Sequence, residues 1–495
     1  MNIFRLTIPL LSSLMFLFIS YLEGANYYVA TSYGSDSNNG TSINTPYKTI
    51  GKAASVMSSG DKCYIRQGRY HETITIDDLD GSSGSAIVFT NYNNERVVVD
   101  GTTPITSTWT QVGSSNIWRT KLSADIWQLF INWEEQVMAR WPNAKFSDDT
   151  IWDNDNYWAK GTIDDDENAY TNGTIIDDPY TNSAGTTIDL NATGFDLDET
   201  NKQAIAILNL GSFRTWSRLV TSHTGNTFNY ATVPNWKTKH HYYYLEGRKE
   251  FLDQAGEWWY DTYNNADSLY YYAANGVNPN RLDFRGKVQS YAFSITGSQY
   301  VQIKNLEFFA TTVYFSNGDN CLVYGCNFMY PSCSKRMIRT VDTEPEMTKF
   351  ASGSSGSSIR NCAFRNTDGT ALEMWGGTDT VDNCYFNKID YSVADNSSIM
   401  LTIRMNGTSN VFRKNTVHRT GGSATVMVGD AGLVEYNNLY DTGHLQSDGS
   451  MIQFMEGQQD GAICRYNWLH DTEKYGARFD HSGTADGVNG IMHHN

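Results

Sequence analysis

The chain has 495 residues, which is enough for one long solenoid or for several domains of average size. Its formal net charge of -17 and its isoelectric point near 5.0 argue against a nucleic-acid partner or an anionic membrane surface, because both would repel it. The sequence contains 31 Tyr and 13 Trp, whose rings suit either core packing or stacking on a flat ligand.

Residues 1–25 predict a secretory signal peptide. Arg5 provides the positive charge at the start, residues 6–22 form an apolar stretch, and Gly24 and Ala25 are small residues suited to a cleavage site. The alternative is that this apolar stretch is retained as an uncleaved N-terminal membrane anchor. No second apolar run approaches the roughly 20 residues of a spanning helix. We therefore expect a secreted protein, extracellular or periplasmic, with no other integral membrane role.

Residues 26–144 predict an N-terminal cap followed by the first coils of a β-solenoid. The sequence Pro46-Tyr47-Lys48-Thr49-Ile50 leads into a short helix that runs through residue 57. Short apolar runs bounded by turn residues then predict strands. These strands cover residues 73–76, 87–90 and 97–99.

Residues 145–288 break this pattern and predict an acidic, aromatic-rich insertion. Its carboxylates cluster at Asp148-Asp149, at residues 164–167 and at Asp177-Asp178. Clustered carboxylate oxygens suit calcium, so calcium is a possible cofactor, with no other metal or cofactor indicated. The competing interpretation is a solvated acidic surface, because the spacing of a calcium-binding loop is missing.

Residues 289–495 contain repeated copies of one short sequence motif, and this repeat predicts the fold. Copies begin at Asn305, Gly325, Asn361, Asn383, Asn415, Asn437 and Asn467, and Asn495 begins another. The intervals from 361 to 383 and from 415 to 437 are both 22 residues, which is enough for three short strands and three turns. We therefore predict an all-β, right-handed parallel β-helix with coils of about 22 residues, about 4.8 Å apart.

Stacking these coils places equivalent residues above one another. The Asn column is expected to hydrogen-bond from coil to coil and to satisfy turn backbone. Cys326, Cys362 and Cys384 then form a buried column, since free Cys packs as a small apolar side chain. A column of Phe residues follows three positions after the Asn column, and His418 and His470 fall in that column when the last copies are aligned on Asn415 and Asn467.

The N-terminal run and the repeat together resemble the pectate-lyase-like superfamily of secreted β-helix enzymes. The resemblance covers residues 27–140 as a motif and 290–495 as a repeat pattern, and residues 130–146 are similar to a segment common in such proteins. It implies polysaccharide lyase or glycoside hydrolase activity, with a polysaccharide as the partner. Because fold does not fix function, the choice between these activities stays open. We expect a monomer.

The candidate site lies on the strands that follow the variable loops. These strands are predicted at 371–375, 401–405, 424–428, 451–455 and 477–481. Alternation along each strand turns every second side chain outward, so polar residues of these strands and the loops before them should share one face. The candidates are Glu373, Arg404, His444, Asp448, Arg478, Asp480 and His481.

Three functions fit these residues. A glycoside hydrolase needs two carboxyl groups, for which Asp448, Asp480 and Glu373 are the candidates. A uronate lyase needs a base and a group that neutralises the substrate carboxylate, which Arg404, Arg478, His444 or His481 would supply. A non-catalytic glycan-binding solenoid would carry aromatic rings without a carboxylate pair. The acidic charge favours hydrolysis of a neutral or weakly charged glycan.

Simple structural roles compete with these assignments. Asp368 and Asp448 both precede Gly, where Asp is a common turn former. Arg478 and Asp480 lie two residues apart on one strand face and are expected to pair there or across coils. The sequence stops within a coil at Asn495 with no cap over it, so we expect the natural protein to continue.

Overall fold

Three parallel β-sheets run side by side through the computed structural model, which describes residues 24–161, 173–211, 213–233, 242–263, 267–396, 399–455, 458–480 and 487–495. Sheet 1 consists of Asn26–Val29, Lys62–Ile65, Ile87–Asn91, Val301–Lys304, Leu322–Tyr324, Ser358–Arg360, Thr380–Asp382, Val411–Arg413, Leu433–Glu435, Ile463–Arg465 and Ile491–His493. Sheet 2 consists of Gly68–Tyr70, Val97–Asp100, Glu307–Phe309, Asn327–Met329, Ala363–Arg365, Tyr385–Ile389, Thr416–Thr420, Asn438–Tyr440 and Trp468–His470. Sheet 3 consists of Ile74–Asp77, Tyr291–Thr296, Thr312–Ser316, Thr348–Phe350, Leu372–Met374, Leu401–Met405, Ala424–Val428, Ser450–Phe454 and Tyr475–Phe479.

Each coil contributes one strand to each sheet in turn. Val301–Lys304 of sheet 1 is followed by Glu307–Phe309 of sheet 2 and Thr312–Ser316 of sheet 3, after which Leu322–Tyr324 begins the next coil. Equivalent strands of successive coils pair in parallel, for example Ile303 with Val323. The predicted parallel β-helix with three strands per coil is therefore confirmed.

Inward side chains form the continuous core of this solenoid. Phe308, Phe328, Phe364 and Phe386 stack with ring centroids 4.6, 4.7 and 4.9 Å apart, close to the spacing between strands. Cys326, Cys362 and Cys384 are buried free thiols beside them. Both columns were predicted, because alternation along a strand separates buried from exposed positions.

The Asn column lies one residue later than predicted in its last copies. Asn305, Gly325, Asn361 and Asn383 occupy a left-handed turn position with φ of 53–66°, and Lys414 and Tyr436 take that position in the following coils. Asn415 instead continues the Cys column, because Tyr385 pairs with Thr416. The Phe column therefore continues through Val417, Leu439 and Leu469 rather than His418 and His470.

The side-chain amides of Asn415 and Asn437, which lie one residue after the turn position, form a hydrogen-bonded ladder from coil to coil. Asn415 Oδ1 accepts the backbone N–H of Cys384 at 2.8 Å, and Asn437 Oδ1 accepts that of Asn415 at 2.9 Å. Asn437 Nδ2 donates to the carbonyl of Phe412 at 3.0 Å. The predicted coil-to-coil role of the Asn residues is thus correct. The alignment failed because Asn suits both the left-handed turn and the ladder position.

A large excursion interrupts the coils between sheet 2 and sheet 3. The chain leaves after Val97–Asp100 and returns at Tyr291–Thr296, so the insertion (residues 101–290) replaces one loop that joins these sheets. It begins before the predicted boundary at residue 145, because residues 102–141 supply strands to the inserted sheets. We call the set of sheet 2 to sheet 3 connections the loop corner.

The insertion is built of mostly antiparallel sheets. Its first sheet contains Glu134–Glu135, Leu129–Ile131, Phe284–Lys287 and Thr102–Pro104. Its second contains Val137–Met138, Glu257–Asp261, Ser268–Tyr272, Ile117–Lys121 and Thr110–Gln111. Its third contains Arg140–Trp141, Tyr242–Glu246, Ile205–Gly211, Arg214–Thr224, Thr227–Tyr230, Thr174–Ile176 and Ala159–Lys160. A small pair joins Tyr180–Thr181 to Thr187–Ile188.

Helices are few and short in the described part of the chain. The α-helices are Ile50–Ala54, Asn154–Tyr157 and Leu190–Thr193. Single 3-10 turns lie at Thr150–Trp152, Lys249–Phe251, Pro279–Arg281 and Arg336–Ile338. None of these described helices is long and apolar enough to cross a membrane. The predicted signal peptide lies almost entirely in residues 1–23, outside the described residues.

Buried and partly buried ion pairs fasten the insertion to the loop corner. Arg336, which is fully buried, donates to Glu246 of the insertion at 2.8 Å and to Asp368 at 2.7 Å. Asp149 of the insertion pairs with Lys388 and Arg419, which take equivalent corner positions in successive coils. These contacts fix the insertion beside the corner that precedes every strand of sheet 3.

Candidate active site on sheet 3

The outer face of sheet 3 carries one row of large polar and aromatic side chains. Strand register places them at equivalent positions in successive coils, with the side chain of Gln453 next to that of Arg478. From the N-terminal end the row contains Tyr314, Lys349, Glu373, Arg404, Met427, Gln453 and Arg478. The row forms because alternation along each strand turns every second residue away from the core.

Asp448, Arg478 and Asp480 meet at one end of this face. Arg478 Nη1 donates to Asp448 Oδ1 at 2.9 Å, and Arg478 Nη2 donates to Asp480 Oδ2 at 2.8 Å. Gln453 Nε2 also donates to Asp480 Oδ2, at 2.6 Å. The three charged side chains retain 23–34% exposure, so solvent and a ligand reach them.

The shared guanidinium sets the separation of the two carboxylates. Both contacting nitrogens belong to one rigid planar group, so the two bound oxygens lie less than about 8 Å apart. Carboxyl pairs about 5–9.5 Å apart are the geometry with which glycosidases act on a bond lying between them. This end of the face therefore has two accessible carboxylates whose largest possible separation falls within the range that glycosidases use.

Glu373 lies in a second cluster with different properties. Lys349 Nζ is 2.7 Å and Arg404 Nη1 is 3.8 Å from its carboxylate, and the indole N–H of Trp375 donates to it at 2.9 Å. Its side chain is only 2% exposed. The Arg404 guanidinium lies 4.2 Å from the centre of the Trp375 ring. The side chains that this cluster presents to solvent are thus cationic and aromatic.

The two clusters share a face without forming one site. Glu373 and Arg478 are equivalent positions four coils apart, which corresponds to about 19 Å at ordinary strand spacing. Glu373 and Arg404 therefore lie on the same face as Arg478, as expected, but in a cluster separate from Asp448 and Asp480. Sequence alternation gives the face of a residue, whereas distance along the solenoid depends on how many coils intervene.

His444 joins neither cluster in the described structure. His444 Nε2 lies 2.8 Å from Asp441 Oδ1 at the loop corner, and Arg419 Nε donates to Asp441 at 2.9 Å. The contacts from His444 and Arg419 hold the pKa of Asp441 well below its usual range. His444 therefore belongs to an ion-pair network of that corner. His481 lies outside the described residues.

Sequence reasoning did not include Lys349, Trp375 and Gln453 among the candidate site residues. Lys349 was missed because Thr348–Phe350 follows a long connection that masks its place in the repeat. A signal was present, since Lys349 alternates with the buried residues Thr348 and Phe350. Asp368 proves structural, because it lies buried against Arg336.

Metal binding receives no support from the described residues. No group of three or more His, Cys, Asp or Glu side chains within them is arranged to hold a metal ion. The acidic run of residues 164–167, one of the three clusters that suggested calcium, lies outside the described part of the chain.

Comparison with known proteins decides the handedness of the solenoid. A family described as "Right handed beta helix region" matches residues 350–495, which include both clusters apart from Lys349. The chain folds as a right-handed parallel β-helix. A solved structure named "Glycoside hydrolase" superposes on this β-helix with a TM-score of 0.67 at 13% identity, covering 92% of this chain and 95% of that one. The predicted resemblance to β-helix proteins is confirmed at the level of fold.

Two other relatives are more distant or cover less. The complex of XylC with xylose has a TM-score of 0.45 at 13% identity and covers 90% of this chain and 70% of that one. The uncharacterized protein YwoF of Bacillus subtilis (strain 168) is 40% identical over 80 residues. That match spans 16% of this β-helix protein and 17% of the relative.

Proposed function

We propose that this protein is a secreted carbohydrate-active enzyme that hydrolyses glycosidic bonds on the outer face of sheet 3. The observation that carries the proposal is the contact of Asp448 and Asp480 with the two ends of one guanidinium, that of Arg478. Two exposed carboxyl groups at this separation suit an acid and its nucleophile or base. The name of the solved structure with a TM-score of 0.67 supports the same class of reaction.

Arg478 gives the pair its geometry. Arg478 lies on a strand, which is a rigid support, and its two contacts hold Asp448 in the preceding loop and Asp480 just after the strand. In the proposed reaction one carboxyl protonates the leaving oxygen, while the other attacks the sugar carbon or activates water. The acidic protein surface favours a neutral or weakly charged glycan as the substrate.

Variants of the two carboxylates test the proposal. Released reducing ends are measured on a panel of plant and algal polysaccharides, with ultraviolet absorbance of unsaturated uronates recorded in parallel. Asp448→Asn and Asp480→Asn should each abolish release, whereas Asp382→Asn should not, because Asp382 pairs with Arg413 on sheet 1. Undiminished release by both sheet 3 variants would overturn the assignment.

Activated aryl glycosides then separate the two roles. A variant that lacks the general acid should keep most of its activity on a substrate whose leaving group needs no protonation. A variant that lacks the nucleophile or base should lose activity on every substrate. If the two variants behave alike on activated and natural substrates, this division of roles is wrong.

A uronate lyase is the second candidate. The observation that favours it is the presence of three cations, Lys349, Arg404 and Arg478, in one outer row. Such cations would neutralise a substrate carboxylate, and one of these side chains in its deprotonated form would accept the proton beside it. An unsaturated product that disappears in Lys349→Met and Arg404→Met would establish this reaction. Products of neither kind, together with glycan binding, would favour a non-catalytic solenoid.

Calcium remains a proposal for either reaction. Its test is activity after treatment with a chelator and again after calcium is restored. Loss and recovery would assign a calcium requirement, and unchanged activity would remove it.

A further inference from the structure

A cavity of about 550 Å³ lies between the insertion and the loop corner. The insertion contributes residues 134–137, 145–147 and 254–257 to its walls. The β-helix contributes Tyr330, Asn366 and Lys388, which have φ of 56–58° and occupy one corner position in three successive coils. The cavity therefore spans three coils on one side and the inserted sheets on the other.

The cavity combines aromatic walls with hydrogen-bonding groups. Phe146, Trp152, Tyr330 and Tyr391 line it, and the Phe146 and Tyr391 rings meet edge to face at 4.8 Å. Rings with adjacent polar groups are the usual lining of a site for a small ligand that is apolar on one face and polar at its edges.

Glu135 is the central polar group of this cavity. Its Oε1 accepts hydrogen bonds from Gln128 Nε2 at 2.8 Å and from the Tyr391 hydroxyl at 3.0 Å. Burial raises the pKa of Glu135 to about 8, so the carboxyl is mostly protonated at neutral pH. A protonated carboxyl both donates and accepts, as a sugar hydroxyl requires.

Two of the other charged residues of the lining, Glu257 and Lys388, have partners of their own, and the remaining two, Glu134 and Lys145, carry opposite charges. Glu257 accepts the backbone N–H groups of Asp253 and Gln254 at 3.1 and 3.0 Å, and so shapes the wall. Lys388 pairs with Asp149 at 2.7 Å. The cavity thus offers hydrogen bonds and ring surfaces with little uncompensated charge, which suits a neutral polyhydroxylated ligand.

We propose that this cavity is a second saccharide-binding site, which holds one neutral sugar unit away from the Asp448 and Asp480 pair. Its corner residue Lys388 lies three coils from the coil of Arg478, about 14 Å along the solenoid. A polysaccharide bound at both places would gain affinity from the cavity without any change in the chemistry at sheet 3.

Blocking the cavity from its rim tests this site. Ser147 and Ala255 are exposed lining residues, so Ser147→Trp and Ala255→Trp should fill the space without disturbing the core. Ser147→Ala is the matched control. Glu135→Ala removes the central hydrogen-bonding group, and Glu135→Gln retains donor and acceptor capacity.

Ligand-observed NMR provides the readout, with glucose, xylose, galactose and mannose, their disaccharides and glucuronate as probes. We expect at least one neutral sugar to bind, with affinity at least about tenfold lower in Ser147→Trp and Glu135→Ala and nearly unchanged in Ser147→Ala and Glu135→Gln. Absence of binding by every neutral probe, binding that both tryptophan variants leave intact, or preference for glucuronate would each overturn the proposal.

The same binding measured in Asp448→Asn separates the two sites. Retained sugar binding in that variant is expected, because the carboxylate pair does not line the cavity. Loss of binding there would overturn a separate site. Failure of Asp448→Asn to reduce hydrolysis would instead contradict the proposed function and leave the cavity result standing.

Discussion

Arg478 and Asp480 lie two residues apart at the end of one strand of sheet 3, with Arg478 Nη2 donating to Asp480 Oδ2 at 2.8 Å. A spacing of two residues turns both side chains to the outer face. The other nitrogen, Nη1, reaches Asp448 in the loop that precedes the adjacent strand. One side chain thereby links a residue of one coil to a residue of the next.

Replacing Arg478 by Lys should separate the two carboxylates while keeping the positive charge. An ammonium group cannot hold two carboxylates in the fixed geometry of a planar guanidinium. We expect kcat/KM to fall by roughly 10- to 100-fold, since small displacements of catalytic groups have effects of this size. Arg465→Lys, on the pair with Glu435 in sheet 1, is the control and should leave kcat/KM unchanged. Wild-type activity of Arg478→Lys would show that the bridge does not matter.

Asn437→Ala should destabilise the protein far more than Asn383→Gly. Asn437 is buried, and its loss leaves the N–H of Asn415 and the carbonyl of Phe412 without these partners. Each unpaired buried group costs about 1–3 kcal/mol. Asn383 is exposed with φ of 55°, a conformation that Gly adopts readily. Denaturant unfolding measures both, and equal losses would contradict the corrected position of the ladder.

Arg336→Met should lower the free energy of unfolding by about 3–5 kcal/mol, because it leaves the buried carboxylates of Glu246 and Asp368 without their cation. Arg96→Met is the matched control, since Arg96 pairs with Glu307 at the surface and is 65% exposed. A pair of that kind contributes about 0–1 kcal/mol. Similar unfolding curves for the two variants would show that the insertion does not depend on Arg336.

Asp390→Asn should change how stability depends on pH. Burial raises the pKa of Asp390 from 3.8 to about 7, so the folded state retains a proton that the unfolded chain releases. The stability contribution of this group is therefore complete below pH 3.8 and is lost as the pH rises to about 7. Within that window the wild type should lose about 1.4 kcal/mol per pH unit relative to the variant. Denaturant unfolding at several pH values checks this, and parallel curves would contradict it.

The repeat made most of the β-helix predictable. Leu401–Met405 and Ala424–Val428 have the predicted bounds, and the Phe and Cys columns lie in the core as expected. These features depend on two periods. Side chains alternate between buried and exposed along each strand, and the same residue types recur at equivalent positions of successive coils. Both periods can be read from the sequence. The last Asn residues were misplaced by one position because two neighbouring turn positions accept the same side chain.

The candidate site was only partly predictable. Alternation correctly turned Glu373, Arg404 and Arg478 outward, and Asp448 was placed in the loop before a strand. It could not show that Glu373 would lie beneath Lys349 and Trp375, or that Asp448 and Asp480 would meet on Arg478. Those contacts depend on which coils are neighbours, and loops of variable length hide that order in the sequence.

The sequence by itself determined the solenoid, its three strands per coil and the identity of its buried columns, because these follow from local periodicity. Tertiary structure alone decided where the insertion lies and what it encloses. Glu135 and Lys388 line one cavity although 253 positions separate their numbers in the chain. No local pattern encodes such a contact, since it arises only when the inserted sheets pack against corner residues of coils formed much later in the sequence.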